Sequence, residues 1–410
     1  MATISLRSLS MVALLSAALL QGCGTVPVTP QEKPAGAPHE STTPTPIQTE
    51  TGELPTQKAP QPSAEAADQQ RITVAAVGDI MLGRNYPEED LPPDDGKEML
   101  EAVSPILHSA DIAIGNLEGV LNDGGQPFKK CQESGSCFLF RTPSRFVHRL
   151  AEAGFDVVSL ANNHARDFGE EGRSATMANL DSMGIRHSGR IGDVASWTVA
   201  GRRVAFIAFA TSAGSYDLRD IPEMQRLVSG LSAKNDVVIV MFHGGAEGSE
   251  MIHVPFSTEI FHGEDRGDVA RFARAAVDAG ADLVIGSGPH VPRGMELRND
   301  HLIVYSLGNF ATYQGINVSG RNGLAPILSV TLDGEGRFVS GHIYSNRQER
   351  PAGPQPDPSF SAAKLMAKVT AEDFTEPRLK ISEDGSIEKI DGLAAAVAAP
   401  AGKMAPARVE

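Results

Sequence analysis

The chain has 410 residues, with 51 acidic against 36 basic side chains and a formal net charge of −15. That balance argues against a nucleic-acid surface or broad contact with anionic lipid, while leaving room for a local basic pocket. No repeat of fixed period is visible, and the length suits one large domain with additions.

Residues 1–23 read as an export signal. Arg7 supplies the positive start, and residues 11–20 form an apolar stretch too short to span a bilayer comfortably. Leu20-Gln21-Gly22-Cys23 resembles a bacterial lipobox, which implies a lipidated Cys23 as the first mature residue. The alternative is an ordinary cleaved signal in which Cys23 is incidental. With Gly24 next, and no Asp, the resemblance places a Gram-negative protein at the outer membrane, facing the periplasm or outside. Residues 24–70 hold nine Pro but only Val26, Val28, Ile47 and Leu54 as large aliphatics. Such a segment cannot offset its chain entropy by burial, so it reads as a disordered, extended tether. Residues 393–410, rich in Ala and Pro, read as a disordered tail.

Between these ends, strand-like and helix-like runs alternate, the pattern of a layered α/β fold. Strands are expected at 72–77, 110–114, 155–160, 204–209, 236–242, 283–285 and 303–307. Helices are expected near 97–109, 143–154, 171–183 and 266–279, the last two ending at Gly184 and Gly280. From 325 the pattern turns antiparallel: 325–332 and 337–344 flank Asp333-Gly334-Glu335-Gly336 as a hairpin. Another strand and turn follow within 374–390. The main domain is expected over 71–350, with a C-terminal β extension over 351–392, and two packed sheets with helices outside. Cys131 and Cys137 are expected to form a disulfide closing a small loop, because an exported chain meets an oxidising compartment. Two free thiols are the alternative.

Five of the apolar runs end in residues that suit a metal site. In α/β sheets, ligands gather at such strand ends. Asp79 follows the first run and is a good hard ligand for a divalent ion, or equally a turn or cap residue. Asn116 and Glu118 follow the second, or are a turn residue and a surface acid. Asn162-Asn163-His164 ends the third, where two amides and an imidazole pack poorly unless satisfied. Asn163 could ligate metal. His164 could be a ligand or a general acid, with Asp167 orienting its ring and raising its pKa. His243 and His290 end the fourth and fifth runs. A lone buried His is more often a satisfied core residue, but two at strand ends beside Asp79 and Asn163 favour ligands. Asn309 could support a ligand or touch substrate. Arg84 and Arg293 could bind a phosphate or carboxylate, or be ordinary surface arginines.

Taken together, Gly78-Asp79-Ile80-Met81-Leu82-Gly83-Arg84, Gly115-Asn116-Leu117-Glu118, Ala161-Asn162-Asn163-His164 with Asp167 and Gly169, Gly286 to His290 and Tyr305 to Phe310 resemble the CapA family of bacterial poly-γ-glutamate (capsule) synthesis proteins. The likeness runs over about 72–315. It implies a four-layer α-β-β-α sandwich of the calcineurin-like metallophosphoesterase kind, with a more antiparallel C-terminal part. It also implies metal ligation by Asp79, Glu118, Asn163, His243 and His290, with His164 catalytic and Asp167 beside it. Asn116, Asn162, Asn309, Arg84 and Arg293 are then the residues expected to face substrate. Met81 and Ser287 stand where that fold's further His ligands belong, so a mononuclear or altered site for Mn, Zn or Mg is expected. Three readings follow. One is an envelope-anchored protein that synthesises, exports or processes an anionic capsule polymer with membrane synthase subunits. Another is a phosphoesterase. The third is a non-catalytic scaffold that binds polymer or a synthase subunit.

Overall fold

The computed structural model describes residues 71–128, 138–375 and 378–390. The expected signal with Cys23, the tether, the tail, Cys131 and Cys137 lie outside the described residues. Strands are β1 (Ile72–Met81), β2 (Ile112–Leu117), β3 (Val157–Ser159), β4 (Arg186–Ser188), β5 (Ala195–Val199), β6 (Arg202–Ala210), β7 (Tyr216–Asp217), β8 (Val237–His243), β9 (Leu283–Ser287), β10 (Met295–Arg298), β11 (His301–Val304), β12 (Asn309–Thr312), β13 (Ile327–Leu332), β14 (Phe338–Tyr344), β15 (Leu379–Ile381) and β16 (Ser386–Lys389). Helices are α1 (Ser104–His108), α2 (Val147–Ala153), α3 (Gly169–Ser182), α4 (Ile221–Ser232), α5 (Val269–Asp278) and α6 (Ser361–Asp373).

Two sheets face each other. The first runs β15-β16-β14-β13-β1-β2-β3-β4, with β12 added beside the end of β1. Its β1 to β4 half is parallel, while β13 to β16 pair antiparallel. The second runs β10-β11-β9-β8-β6-β5, with β7 beside β6. Strand alternation explains the layering. In β1, Val74 and Ala76 point into the space between sheets with Ile239 and Met241 of β8. Ala75 and Val77 point outward, under Leu107 of α1 and Leu150 of α2. Val238 and Val240 of β8 point the other way, under Met224 of α4 and Phe272 of α5. The result is the four-layer α-β-β-α sandwich that the resemblance implies. Each fully buried Val, Ile, Leu or Phe contributes about 1.5–3 kcal/mol, so these three apolar layers hold the frame.

The helices obey local rules. α5 buries Val269, Ala270, Phe272, Ala273, Ala276 and Val277 on one stripe. Its N-terminus is capped by Asp268, whose carboxylate accepts from the Arg271 backbone N–H at 2.9 Å. The helix expected over 97–109 is shorter, beginning at Ser104. Pro105 is the physical reason: its missing N–H would break a helix running through 101–105. The β extension expected over 351–392 also carries a helix, α6, which buries Ala362, Ala363, Met366, Val369 and Thr370. β15 and β16 then join the first sheet.

Candidate metal centre

Strand register assembles the site. Asp79 of β1 lies opposite Asn116 of the parallel β2 and Asn309 of the parallel β12. In the second sheet, His243 of β8 lies opposite Ser287 of β9. These two rows end at the same edge of the sandwich. Close backbone crossing there demands glycine: a Cβ on Gly78 would stand 1.8 Å from the Gly308 carbonyl oxygen, which instead accepts from the Asp79 N–H at 2.9 Å. His290 adopts a left-handed φ of 60°. Such a conformation is costly for a non-glycine residue and persists where surrounding structure enforces it.

The side chains form one buried network. Asn116 Nδ2 donates to Asp79 Oδ1 at 2.9 Å. Asn162 Nδ2 donates to Asn116 Oδ1 at 3.1 Å and to the Leu117 carbonyl at 2.9 Å. His290 Nδ1 stands 3.0 Å from both Asp79 Oδ2 and Asn309 Oδ1. Its Nε2 faces Glu118 Oε1 and Glu247 Oε2, each at 3.8 Å. His243 Nδ1 stands 3.1 Å from Ser287 Oγ and 3.3 Å from Asn116 Nδ2. His164 Nδ1 stands 2.8 Å from Asp167 Oδ2, which also accepts from the Phe140 N–H at 2.7 Å. The His164 ring packs 4.2 Å from Phe140, and its Nε2 points toward Glu118 Oε1 at 4.0 Å.

Electrostatics sort these groups. Burial raises the Asp79 carboxyl, but His290, His243 and Asn116 together bring it below its ordinary value. Burial pushes Glu118 up to about 8, with Asp79 and Glu247 adding to the rise against His290. Burial drives His243 down to about 3. For His290 burial works against the cation, yet Glu118 and Asp79 raise it to about 10. Glu118 and His164 line a cleft of about 330 Å³ with Phe138, Phe140, Glu247 and Phe261.

Donor chemistry fits a cation here. Ligand atoms of Asp79, Glu118 and His290 all lie within 4.8 Å of one another, the one such group among the described residues. Both Glu118 oxygens are buried without a hydrogen-bond partner, as is His243 Nε2. A buried carboxylate without donors is unfavourable unless a cation answers it. Mixed carboxylate and imidazole donors suit a divalent ion. Asp79, Glu118 and His290 would hold it, with His243 beside them. Ser287, by contrast, holds His243, and Met81 is buried.

Three expected residues stand elsewhere. Asn163 lies outside the hydrogen-bonded network that Asn162 joins; its Oδ1 is buried without a hydrogen-bond partner, and it lines a cavity of about 190 Å³ with Asn162, Arg166 and Asp167. Arg84 is engaged by Asp90 at 3.0 and 2.7 Å. Arg293 is fully buried and forked onto Glu259 at 2.8 and 2.8 Å. Sequence reasoning missed Glu247, although an acid just past Gly244-Gly245 at a strand end was a usable signal. It also missed Arg266, whose Nη1 meets Glu247 Oε1 at 2.9 Å, and Asn322, which donates to the His290 carbonyl at 3.1 Å.

The family model described as bacterial capsule synthesis protein PGA_cap matches residues 73–314. The capsule biosynthesis protein CapA of Bacillus anthracis is 26% identical over 342 residues, covering 78% of this chain and 78% of that one. The PGA biosynthesis protein CapA of Bacillus subtilis (strain 168) is 28% identical over 291 residues, covering 68% of this chain and 73% of that one. Among solved structures, a 5'-nucleotidase precursor from Thermus thermophilus aligns at a TM-score of 0.37 and 14% identity, over 74% of this chain and 59% of that chain.

Proposed function

The chain belongs to the bacterial capsule synthesis protein family PGA_cap, and from that premise we propose that it acts in the synthesis, export or processing of an anionic, poly-γ-glutamate-like polymer through a metal-dependent hydrolase-like site. The unpartnered Glu118 carboxylate, clustered with Asp79 and His290, carries this reading. A divalent ion held there would polarise a carbonyl or phosphoryl oxygen as a Lewis acid. His164 acts as the proton donor to the leaving group, because Asp167 fixes its Nδ1 and leaves Nε2 toward the cleft. Asn309 and Asn322 brace the His290 backbone by donating to its carbonyl. Phe138, Phe140 and Phe261 keep the cleft wall apolar. Attachment is through lipid on Cys23 in the cell envelope, beside membrane synthase subunits. No helix among the described residues is long and apolar enough to cross a membrane.

Metal analysis of the purified full chain tests this. At least one equivalent of divalent ion is expected, lost in Asp79→Ala and His290→Ala. His164→Ala should retain metal and lose hydrolysis of γ-linked glutamate polymer or of a chromogenic phosphodiester; the preferred substrate names the reaction. A metal-free protein of normal stability would leave the scaffold reading. That reading draws on one observation: both Asp79 oxygens already have partners within the protein.

A further inference from the structure

Several arginines here show what the side edge of a guanidinium, Nε with Nη2, does when a carboxylate is in reach. Arg84 closes that edge on Asp90. Arg145 closes it on Asp95 at 2.7 and 2.7 Å, and Arg298 on Asp278 at 2.8 and 2.7 Å. Arg266 differs. It is 3% exposed and meets Glu247 through Nη1. Its Nε and Nη2 are buried with no hydrogen-bond partner among the described residues. A charged two-donor edge left unanswered in an interior is strongly unfavourable. The planar fork matches one kind of partner best, the paired oxygens of a carboxylate or phosphate.

Location gives that edge a use. Glu247, held by Arg266, lines the cleft and stands 3.8 Å from His290 Nε2. Phe261 also lines the cleft, its ring centroid 5.9 Å from the guanidinium carbon. Arg266 therefore stands one side chain behind the cleft wall, beside the candidate ligands. No Lys or Arg lines the cleft among the described residues, and the two arginines expected to meet substrate are engaged by Asp90 and Glu259. Phe261 sits on a two-residue ribbon, Ile260–Phe261 against Glu264–Asp265, with an exposed tip at His262 and Gly263. Little packing resists displacement of such a ribbon.

We propose that the Nε–Nη2 edge of Arg266 is an oxyanion subsite of the cleft, taking a carboxylate or phosphate group of the substrate by two parallel hydrogen bonds once Phe261 moves aside. This rests on reading the cleft as the substrate site. It assigns the anionic part of the substrate to Arg266 and leaves the reacting bond to the metal cluster and His164. Glu247, on the outer nitrogen, fixes the plane of the fork.

Calorimetric titration of the full chain with inorganic phosphate and, separately, glutarate tests it, with and without added Mn²⁺ and with metal content measured alongside. Arg266→Gln should weaken the preferred anion by about 10- to 100-fold. Arg266→Lys, which keeps the charge opposite Glu247 but loses the fork, should weaken it by several-fold at an unchanged melting temperature. Glu247→Gln keeps an accepting oxygen on the outer nitrogen while removing a competing negative charge, and should bind the anion at least as tightly. Phe261→Ala should also bind at least as tightly. The stronger of the two probes tells a carboxylate subsite from a phosphate one. Anion affinity unchanged in both Arg266 variants overturns the subsite, as does equal weakening in Arg266→Gln and Glu247→Gln, the mark of a structural ion pair. Absence of metal from a wild-type protein that still binds anion through Arg266 would overturn the metal reading alone.

Discussion

The two carboxylates of the candidate metal cluster are equally buried and differently satisfied. On the strand side, Asp79 has its backbone N–H on Gly308 and its carboxylate oxygens on Asn116 and His290. On the cleft side, Glu118 has no hydrogen-bond partner for either oxygen. The carboxyl with donors is held below its ordinary pKa, and the one without is pushed up to about 8. Burial raises both carboxyls, so the difference between them comes from the donors and imidazoles around Asp79. The saturated half fixes geometry, while the unsaturated half costs stability until something binds. That is the expected division between a frame and a ligand-binding face.

The sharpest way to break this comparison is to neutralise each carboxylate in metal-free protein. Asp79→Asn replaces one accepting oxygen by an NH2, which then opposes either Asn116 Nδ2 or His290 Nδ1, so unfolding free energy should fall by roughly 2–3 kcal/mol. Glu118→Gln removes a buried acid that has no hydrogen-bond donor and only the more distant His290 and His164 rings for charge, so the same measurement should stay level or rise by about 1–2 kcal/mol. Both variants should lose metal. Urea titrations that shift in the same direction for both would end the distinction between frame and ligand face.

A smaller effect should appear with pH. Unfolded Glu118 titrates near 4.5 and folded Glu118 near 8, so in that window the native state keeps a proton the unfolded chain has lost. Stability of the metal-free protein must then fall as pH rises. His290, raised from 6.5 to about 10, adds stability that is full below 6.5 and is lost as pH rises toward 10. His243 acts oppositely, since burial lowers it from 6.5 to about 3, and its contribution is lost as pH falls through that range. Between pH 6.5 and 8 the unfolding free energy from urea titration should therefore decline, by up to about 1.4 kcal/mol per pH unit for each proton involved. Saturating metal displaces the Glu118 and His290 protons, so the decline should vanish in loaded protein. A decline unchanged by metal would detach it from this cluster.

Legibility in the sequence followed the apolar runs. Their length and β-branched content mark buried strands whatever surrounds them, and the polar residue at each end is then placed by register. Asp79, Asn116 and Asn309 fall in one row for that reason. Finer placements were not legible where one residue of offset reverses a side chain. Asn162 and Asn163 are chemically identical, and only three-dimensional placement shows that Asn162 reaches Asn116. Helix α6 escaped notice because its buried stripe is built largely from Ala362, Ala363 and Thr370, a weak hydrophobic signal. Glu247 lies past two glycines, where strand periodicity has ended.

The arginines pose the same difficulty in its plainest form, since no local pattern tells which partner a long side chain will find. Arg84 follows the first motif directly and invites a substrate-binding role. It instead pairs with Asp90, the two side chains 18% and 36% exposed. Exposed pairs of this kind are worth about 0–1 kcal/mol. Arg84→Ala should therefore lower the unfolding free energy from urea titration by no more than that, and should leave metal content and phosphate or glutarate affinity at wild-type values. Placed beside Arg266→Gln, it forms a control matched in charge: each variant removes one cation, but only one of the two cations stands at the cleft with an unanswered edge. If Arg84→Ala weakened anion binding as much as Arg266→Gln, the effect would be long-range charge, screened by salt. Repeating both titrations at raised ionic strength separates the cases, because a two-hydrogen-bond contact survives salt that abolishes a diffuse field.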